Sequence, residues 1–397
     1  MNRSTIEDIV LNVKKPVVFH NLEIPWECFK HTFEEWLSWL YDACPSLAFD
    51  SGTLQNGTRP QWERTRTKVQ MTAKDFYRDA SAHQGHFNDN WASYSYRSIR
   101  ELPPECRAGV DFGVLGFPDV AEDVSFWIGS KGAHTACHYD TYGCNIVVQV
   151  FGRKSWLLFP PEAKLHRSRV PYEESSVYCE ENFYSPASYS TVIALENDAY
   201  YVVLEPGMVL VIPPKWWHYV ETLECSLNFN TWLPLESDTE EHISECLTRL
   251  IVKDYSKHLP ASSLRHVFNP NELTSLDVPS SSELQNTLRY LLEQQSSNKR
   301  QHLAKAGHPT NYLSQNVLDG LLETWVDFVT TVDKLENHEF FHMMKTNGRR
   351  FDPDLNRSSD EEETNAAAEH AINLSCHPDL IRLTRESLVG ENKINFE

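Results

Sequence analysis

His138 and Asp140, one residue apart, and His218, far downstream, offer two imidazoles and one carboxylate in a chain of 397 residues. Side chains at i and i+2 of an extended strand point to one face, so His138 and Asp140 can converge on one ion while His218 arrives from another strand. Two histidines and one carboxylate form the facial triad of non-haem Fe(II) oxygenases, which keeps coordination positions open for a bidentate cosubstrate and dioxygen. In a chain with 17 histidines a lone His-x-Asp is most often a surface or hydrogen-bonded pair. The setting argues otherwise: His138 enters a strand-rich segment, and His218 follows Pro206-Gly207 and the apolar run Met208-Val209-Leu210-Val211-Ile212-Pro213, where a buried strand should end.

The elements that must position these ligands are short and β-rich. From about Ser125 to Trp232, runs such as Asn145-Ile146-Val147-Val148-Gln149-Val150, Trp156-Leu157-Leu158-Phe159 and Tyr200-Tyr201-Val202-Val203-Leu204 alternate with Pro and Gly turns. That pattern predicts a double-sheet jelly roll of cupin type. The polar, aromatic stretch between Pro160 and Asp198 is expected as a long insertion between strands. Ahead of the barrel, Pro16-Val17-Val18-Phe19 predicts a strand, and Trp36, Trp39 and Leu40 share one helical face. After Trp232, Ile243, Leu247, Leu250 and Ile251, then Leu284, Leu288, Leu291 and Leu292, then Leu318, Leu321, Leu322 and Trp325 predict helices. Arg357-Ser358-Ser359-Asp360-Glu361-Glu362-Glu363 has the character of a solvated linker, and Leu374, Leu380, Ile381 and Leu383 suggest a last helix.

Composition bounds the function. A formal net charge of −20 opposes the counterion release that drives nucleic-acid affinity and favours a protein or small-molecule substrate. Nine cysteines without a Cys-x-x-Cys pair fit free thiols in a reducing compartment. No apolar run is long enough to span a membrane, so a cytoplasmic, or else nuclear, protein without membrane attachment is expected.

At this level of detail Thr135-Ala136-Cys137-His138-Tyr139-Asp140, Gly152-Arg153-Lys154-Ser155-Trp156, Phe159-Pro160-Pro161 and Pro213-Pro214-Lys215-Trp216-Trp217-His218 resemble the JmjC hydroxylase family over roughly residues 10 to 260. Gly143 to Pro161 and Pro171-Tyr172-Glu173-Glu174-Ser175-Ser176-Val177 are similar to a heat-shock-protein-associated subgroup of it. The resemblance implies a metal site of His138, Asp140 and His218, with Fe(II) and 2-oxoglutarate as cofactors. It further implies that Lys154 takes the far carboxylate of the cosubstrate, that Thr135, three positions before the first ligand, is a further cofactor-binding residue, and that Asn145 and Asn230 hydrogen-bond the cosubstrate or the metal ligands. A tyrosine before the barrel completes such pockets; Tyr94 and Tyr96, expected on one face, both qualify, and Tyr96 is preferred. Physical chemistry asks for the same lysine, since a dicarboxylate inside an apolar barrel needs a cation.

Competing signals are weaker. His338-Glu339-Phe340-Phe341-His342 matches the HExxH zinc-protease pattern. With no paired ligand motif after it, an amphipathic packing helix is expected instead. Cys137 and Cys144 are expected as small apolar fillers, and Trp216 and Trp217 as core and wall.

The resulting expectation is a mainly β protein with α elements: a double-stranded β-helix (jelly-roll, cupin, JmjC) core with N-terminal α/β elements and a C-terminal helical region. Domains are expected at 1–260 (oxygenase, barrel core about 120–235), 261–346 (helical) and 347–397 (an acidic, partly disordered tail with a candidate terminal helix). The expected activity is hydroxylation of a protein side chain, releasing succinate and CO2. Alternatives are a catalytically weak binding partner of small heat-shock proteins, an RNA-base hydroxylase, a histone demethylase and a zinc protease. A homodimer through the C-terminal helices is a further expectation.

Overall fold

The computed structural model describes residues 1–120, 123–173, 176–257, 259, 280–296, 307–356 and 360–390. Of the expected linker from Arg357 to Glu363, residues 357–359 lie outside them, as do Glu174, Ser175 and parts of the expected helical region and tail; residues 360–363 are not linker but the start of a helix, Asp360–Ser375.

The chain opens with α1 (Arg3–Asn12), β1 (Val17–Phe19), α2 (Phe33–Ala43), β2 (Leu47–Thr53), β3 (Thr67–Met71), α3 (Ala73–Ala82), β4 (Asn90–Ser98) and the short α4 (Pro104–Arg107). The barrel strands are β5 (Val124–Gly129), β6 (His134–Asp140), β7 (Cys144–Phe151), β8 (Lys154–Phe159), β9 (Arg167–Glu173), β10 (Ser176–Cys179), β11 (Tyr200–Leu204), β12 (Val209–Ile212), β13 (Trp217–Thr222) and β14 (Ser226–Leu233). Then come α5 (Asp238–Ser256), α6 (Ser281–Ser296), α7 (Gln315–Thr324), β15 (Val329–Thr331), α8 (Asn337–Asn347), α9 (Asp360–Ser375) and α10 (Pro378–Val389). Among the described residues two sheets form, ordered β15-β1-β12-β7-β14-β5-β4-β2-β3 and β11-β8-β13-β6-β10-β9. This is the jelly-roll core anticipated from the short strands and their turns.

The central strands are apolar on both faces because each face has its own cover. Ile146, Val148, Phe126, Phe229, Val209 and Val211 point out of the larger sheet and pack with Trp36, Leu37 and Leu40 of α2. That helix is fixed at its start by a reciprocal Thr32–Glu35 capping box. On the smaller sheet Cys137, Tyr139, Leu157, Phe159, Trp217 and Tyr219 point outward and are covered in part by Phe340 and Met344 of α8. Between the sheets lies a third apolar cluster that includes Val147, Trp156, Leu158, Leu210, Ile212 and Val220. A period of two thus sends His138, Asp140 and His218 into the barrel while their neighbours build its outer wall.

Two segments differ from expectation. The stretch after Pro160 holds β9 and β10, which extend the smaller sheet beside β6. Its charged and aromatic side chains hide the alternation that marks other strands. The region expected to be helical supplies β15, which pairs with β1 at the edge of the larger sheet. It also supplies α7, whose Leu318 is buried in the core under α1. Ile372 and Ile381 of the last two helices, and Cys376 in the turn between them, are buried against α5.

Gly152 sets the register of the strand that carries Lys154. It sits at φ +62°, and a β-carbon there would collide with the Cys225 carbonyl oxygen. Backbone carbonyls cannot swing aside as a flexible side chain does. Gly152→Ala is therefore expected to cost about 1–3 kcal/mol, read as a lowered midpoint in urea unfolding.

Candidate metal centre

Strand pairing brings the ligands together. His138 of β6 lies directly opposite His218 of β13, with ring centroids 4.2 Å apart. Asp140 completes the trio: Oδ1 is 3.7 Å from His138 Nε2 and Oδ2 is 3.8 Å from His218 Nε2. One donor atom from each residue lies within 4.8 Å of the others, and all three residues are buried. This is the one such cluster found among the described residues.

Hydrogen bonding prepares the imidazoles as ligands. His138 Nδ1 is 2.8 Å from the Ala136 carbonyl and His218 Nδ1 is 3.0 Å from the Trp216 carbonyl. A carbonyl only accepts, so each Nδ1 carries the proton and each Nε2 presents a lone pair to the shared centre. Burial, reinforced by the neighbouring His138, pushes the His218 pKa down to about 4, which keeps that ring neutral near pH 7.

Asp140 is held by N–H donors. Asn145 Nδ2 donates to Oδ2 at 3.2 Å and Trp232 Nε1 donates to the same atom at 2.8 Å. Asn230 Nδ2 donates to Asn145 Oδ1 at 3.0 Å, and Trp127 Nε1 donates to Asn230 Oδ1 at 2.7 Å. Asn145 thus contacts a ligand directly, Asn230 acts one step behind it, and sequence reading missed Trp127 and Trp232. Their inward period-two positions on β5 and β14 were the available signal.

Lys154 points into the barrel beside this network. It is buried, and its Nζ donates to Asn228 Oδ1 at 2.5 Å and lies 6.0 Å from the Trp127 ring. Burial pushes its pKa down to about 7. Among the described residues no carboxylate lies within ion-pair distance of it. Thr135 shares the inward face of His138 despite its three-residue offset, because a bulge in β6 pairs it with Val220.

Tyr94 and Tyr96 part company for the same kind of reason. The register shifts between Tyr94 and Arg97 on β4, and Tyr96 takes φ +55°. Tyr94 packs outward on Phe49 and Phe126. Tyr96 stands instead against Trp127 and Trp232, at 5.7 and 5.8 Å. The expectation that both share one face is corrected by this bulge. On the far side of His138, Tyr178 lies 5.3 Å away and is backed by Trp62.

The HExxH segment forms α8, with Phe340 and Met344 buried and His338, Glu339 and His342 exposed. Glu339 caps its own helix through the Glu336 backbone N–H. Changing His338 and His342 together to alanine is therefore expected to leave metal affinity unchanged in calorimetry.

A jelly roll that buries two imidazoles and one carboxylate around a common point defines a cupin-type protein with a candidate metal site. A family description of a cupin-like domain matches residues 3–238, and the chain belongs to that family. It is 35% identical over 282 residues to HSPB1-associated protein 1 of Bos taurus, covering 67% of this chain and 58% of that protein. The homologue of that protein in Danio rerio is 35% identical over 263 residues, covering 62% and 57%. Lysine-specific demethylase JMJ30 of Arabidopsis thaliana is 32% identical over 120 residues, 30% of this chain and 27% of that one. The chain thus spans less than two thirds of the length of these relatives.

The donor set fits Fe(II), because two imidazoles and one carboxylate on one side of an ion are the ligands of non-haem iron oxygenases. The buried Lys154 ammonium fits an anionic group at its tip.

Proposed function

We propose that this chain is a JmjC-type oxygenase that depends on Fe(II) and 2-oxoglutarate and hydroxylates a protein side chain. The observation that carries the reading is the pairing, inside one barrel, of the His138–Asp140–His218 trio with a buried lysine that has no carboxylate partner among the described residues. His138, Asp140 and His218 would hold the iron. Lys154, with Thr135 and Tyr96 as further wall, would take the far carboxylate of the cosubstrate. Iron with 2-oxoglutarate supplies, when bound, the oxidising power to place one oxygen atom of O2 in a C–H bond while the other goes into succinate as CO2 leaves. The protein's own part is to aim Nε2 of both imidazoles at one centre, to orient Asp140 and to neutralise the cosubstrate's charge.

Calorimetry with Mn(II) as a stand-in, followed by 2-oxoglutarate, tests the reading. Ordered binding of both supports it, and a chain that binds neither rejects it. Substrate class is tested by mass spectrometry of protein extract treated with loaded enzyme, looking for cosubstrate-dependent gain of one oxygen atom.

A second reading has its own support in the names of the relatives, HSPB1-associated proteins: a binding partner of small heat-shock proteins. It predicts a stable complex with such a protein that survives the removal of metal.

A further inference from the structure

We infer that Trp232, backed by the amide chain that begins at Trp127, is the positioning residue that leaves Asp140 a single oxygen for the metal. The inference rests on the proposed iron site and adds to it what fixes the ligand's geometry.

The direction of the chain is settled by chemistry. An indole N–H can only donate. Trp127 Nε1 therefore fixes Asn230 with Oδ1 towards the indole, which turns the Asn230 amide N–H to Asn145 Oδ1. Asn145 must then present its own N–H to Asp140. Every link donates towards the carboxylate, and Trp232 adds a second donor at the same oxygen. Aligned donors in a low-dielectric interior strengthen one another.

The result is an asymmetric carboxylate. Oδ2 accepts two N–H bonds, from Asn145 and Trp232. Both oxygens lie close to an imidazole, Oδ1 3.7 Å from His138 Nε2 and Oδ2 3.8 Å from His218 Nε2, but among the described residues Oδ1 accepts no N–H bond of that kind. A carboxylate with both oxygens free can swing to bind an ion through both, which would occupy a position the cosubstrate or O2 needs. Trp232 and Asn145 oppose that swing. Tyr96 packs at a tilt against Trp127 and edge-on against Trp232, and so helps hold the donors in place.

Trp232→Phe keeps the ring and its contact with Tyr96 but removes the N–H. Outer hydrogen-bond partners of metal ligands are generally worth 10–100-fold in metal affinity. The expected result is an Mn(II) affinity about tenfold weaker than wild type in calorimetry, with the melting temperature of the metal-free protein little changed. Trp127→Phe, which removes a donor that never touches Asp140, is expected to weaken Mn(II) binding in the same direction but less. With Co(II) as probe, the visible absorption of Trp232→Phe is expected to lose intensity as the freed Oδ2 joins the ion and raises its coordination number.

Mn(II) affinity at the wild-type value in both variants overturns the inference, as does a drop in metal-free stability alone, which would make the indoles packing groups. Should Trp232→Phe fail to fold, Trp127→Phe decides by the same criterion. A wild-type chain that binds no Mn(II) rejects the proposed function first, and the positioning role with it.

Discussion

With Asp140 replaced by alanine, the protein takes up no Mn(II) at concentrations that saturate the wild-type chain, and no substrate gains oxygen. This is the largest effect expected of any single substitution. Asp140 supplies the one anionic donor of the trio and receives the convergent N–H bonds of Asn145 and Trp232. Losing an outer partner of a ligand costs about 10–100-fold in metal affinity, so losing the ligand itself should cost roughly 100-fold or more. Asp140→Asn separates charge from shape: it keeps an oxygen at the site but presents a neutral amide, and is expected to bind the ion far more weakly than wild type. Retention of normal Mn(II) affinity by Asp140→Ala would place the metal elsewhere and end the proposal.

The second large effect concerns Lys154. Lys154→Met is expected to leave Mn(II) binding intact and to weaken 2-oxoglutarate by roughly 10²–10⁴-fold, because removing one member of a buried charge pair costs about 3–5 kcal/mol. The pH dependence has a definite sign. Burial lowers the Lys154 pKa from the ordinary 10.5 to about 7. Between those values the unfolded chain carries a proton that the ligand-free fold lacks, so this residue makes ligand-free stability rise with pH across that window. A bound dicarboxylate reverses the preference and keeps the ammonium protonated. Above pH 7, binding must therefore take up a proton, and affinity must fall as pH rises. Calorimetry at pH 8 in buffers of different ionisation enthalpy reads that proton directly. In Lys154→Met both the proton uptake and this part of the stability slope are expected to vanish. A wild-type affinity that stays level from pH 7 to 9 would separate Lys154 from the cosubstrate.

The sequence was readable where chemistry and periodicity coincide. His138 and Asp140 sit two apart on β6, and the apolar run before His218 announces a buried strand. Strands β7, β8 and β11 were legible from their β-branched and aromatic residues. Bulges were not. An extra residue in a strand leaves no mark on composition, yet in β6 it turns Thr135 to the face of His138. In β4 it sends Tyr94 and Tyr96 to opposite faces. Strand β9 escaped notice because its charged side chains pair with later helices, as Arg167 does with Asp379, and β10 because it is only four residues long. The histidines of the HExxH segment matched a motif, but burial of Phe340 and Met344 turned both outward.

By itself the sequence determined which atoms are available: two imidazoles, one carboxylate and a lysine, on strands whose alternation must bury them. Tertiary structure alone decided how they face one another. Local spacing fixes the side of a strand on which a group lies, whereas cross-strand register fixes what it meets. Register is set by turns, bulges and the apolar covers of two sheets taken together. The opposition of His138 to His218, the donor chain from Trp127 to Asp140 and the lack of a carboxylate beside Lys154 among the described residues all belong to that second kind of fact.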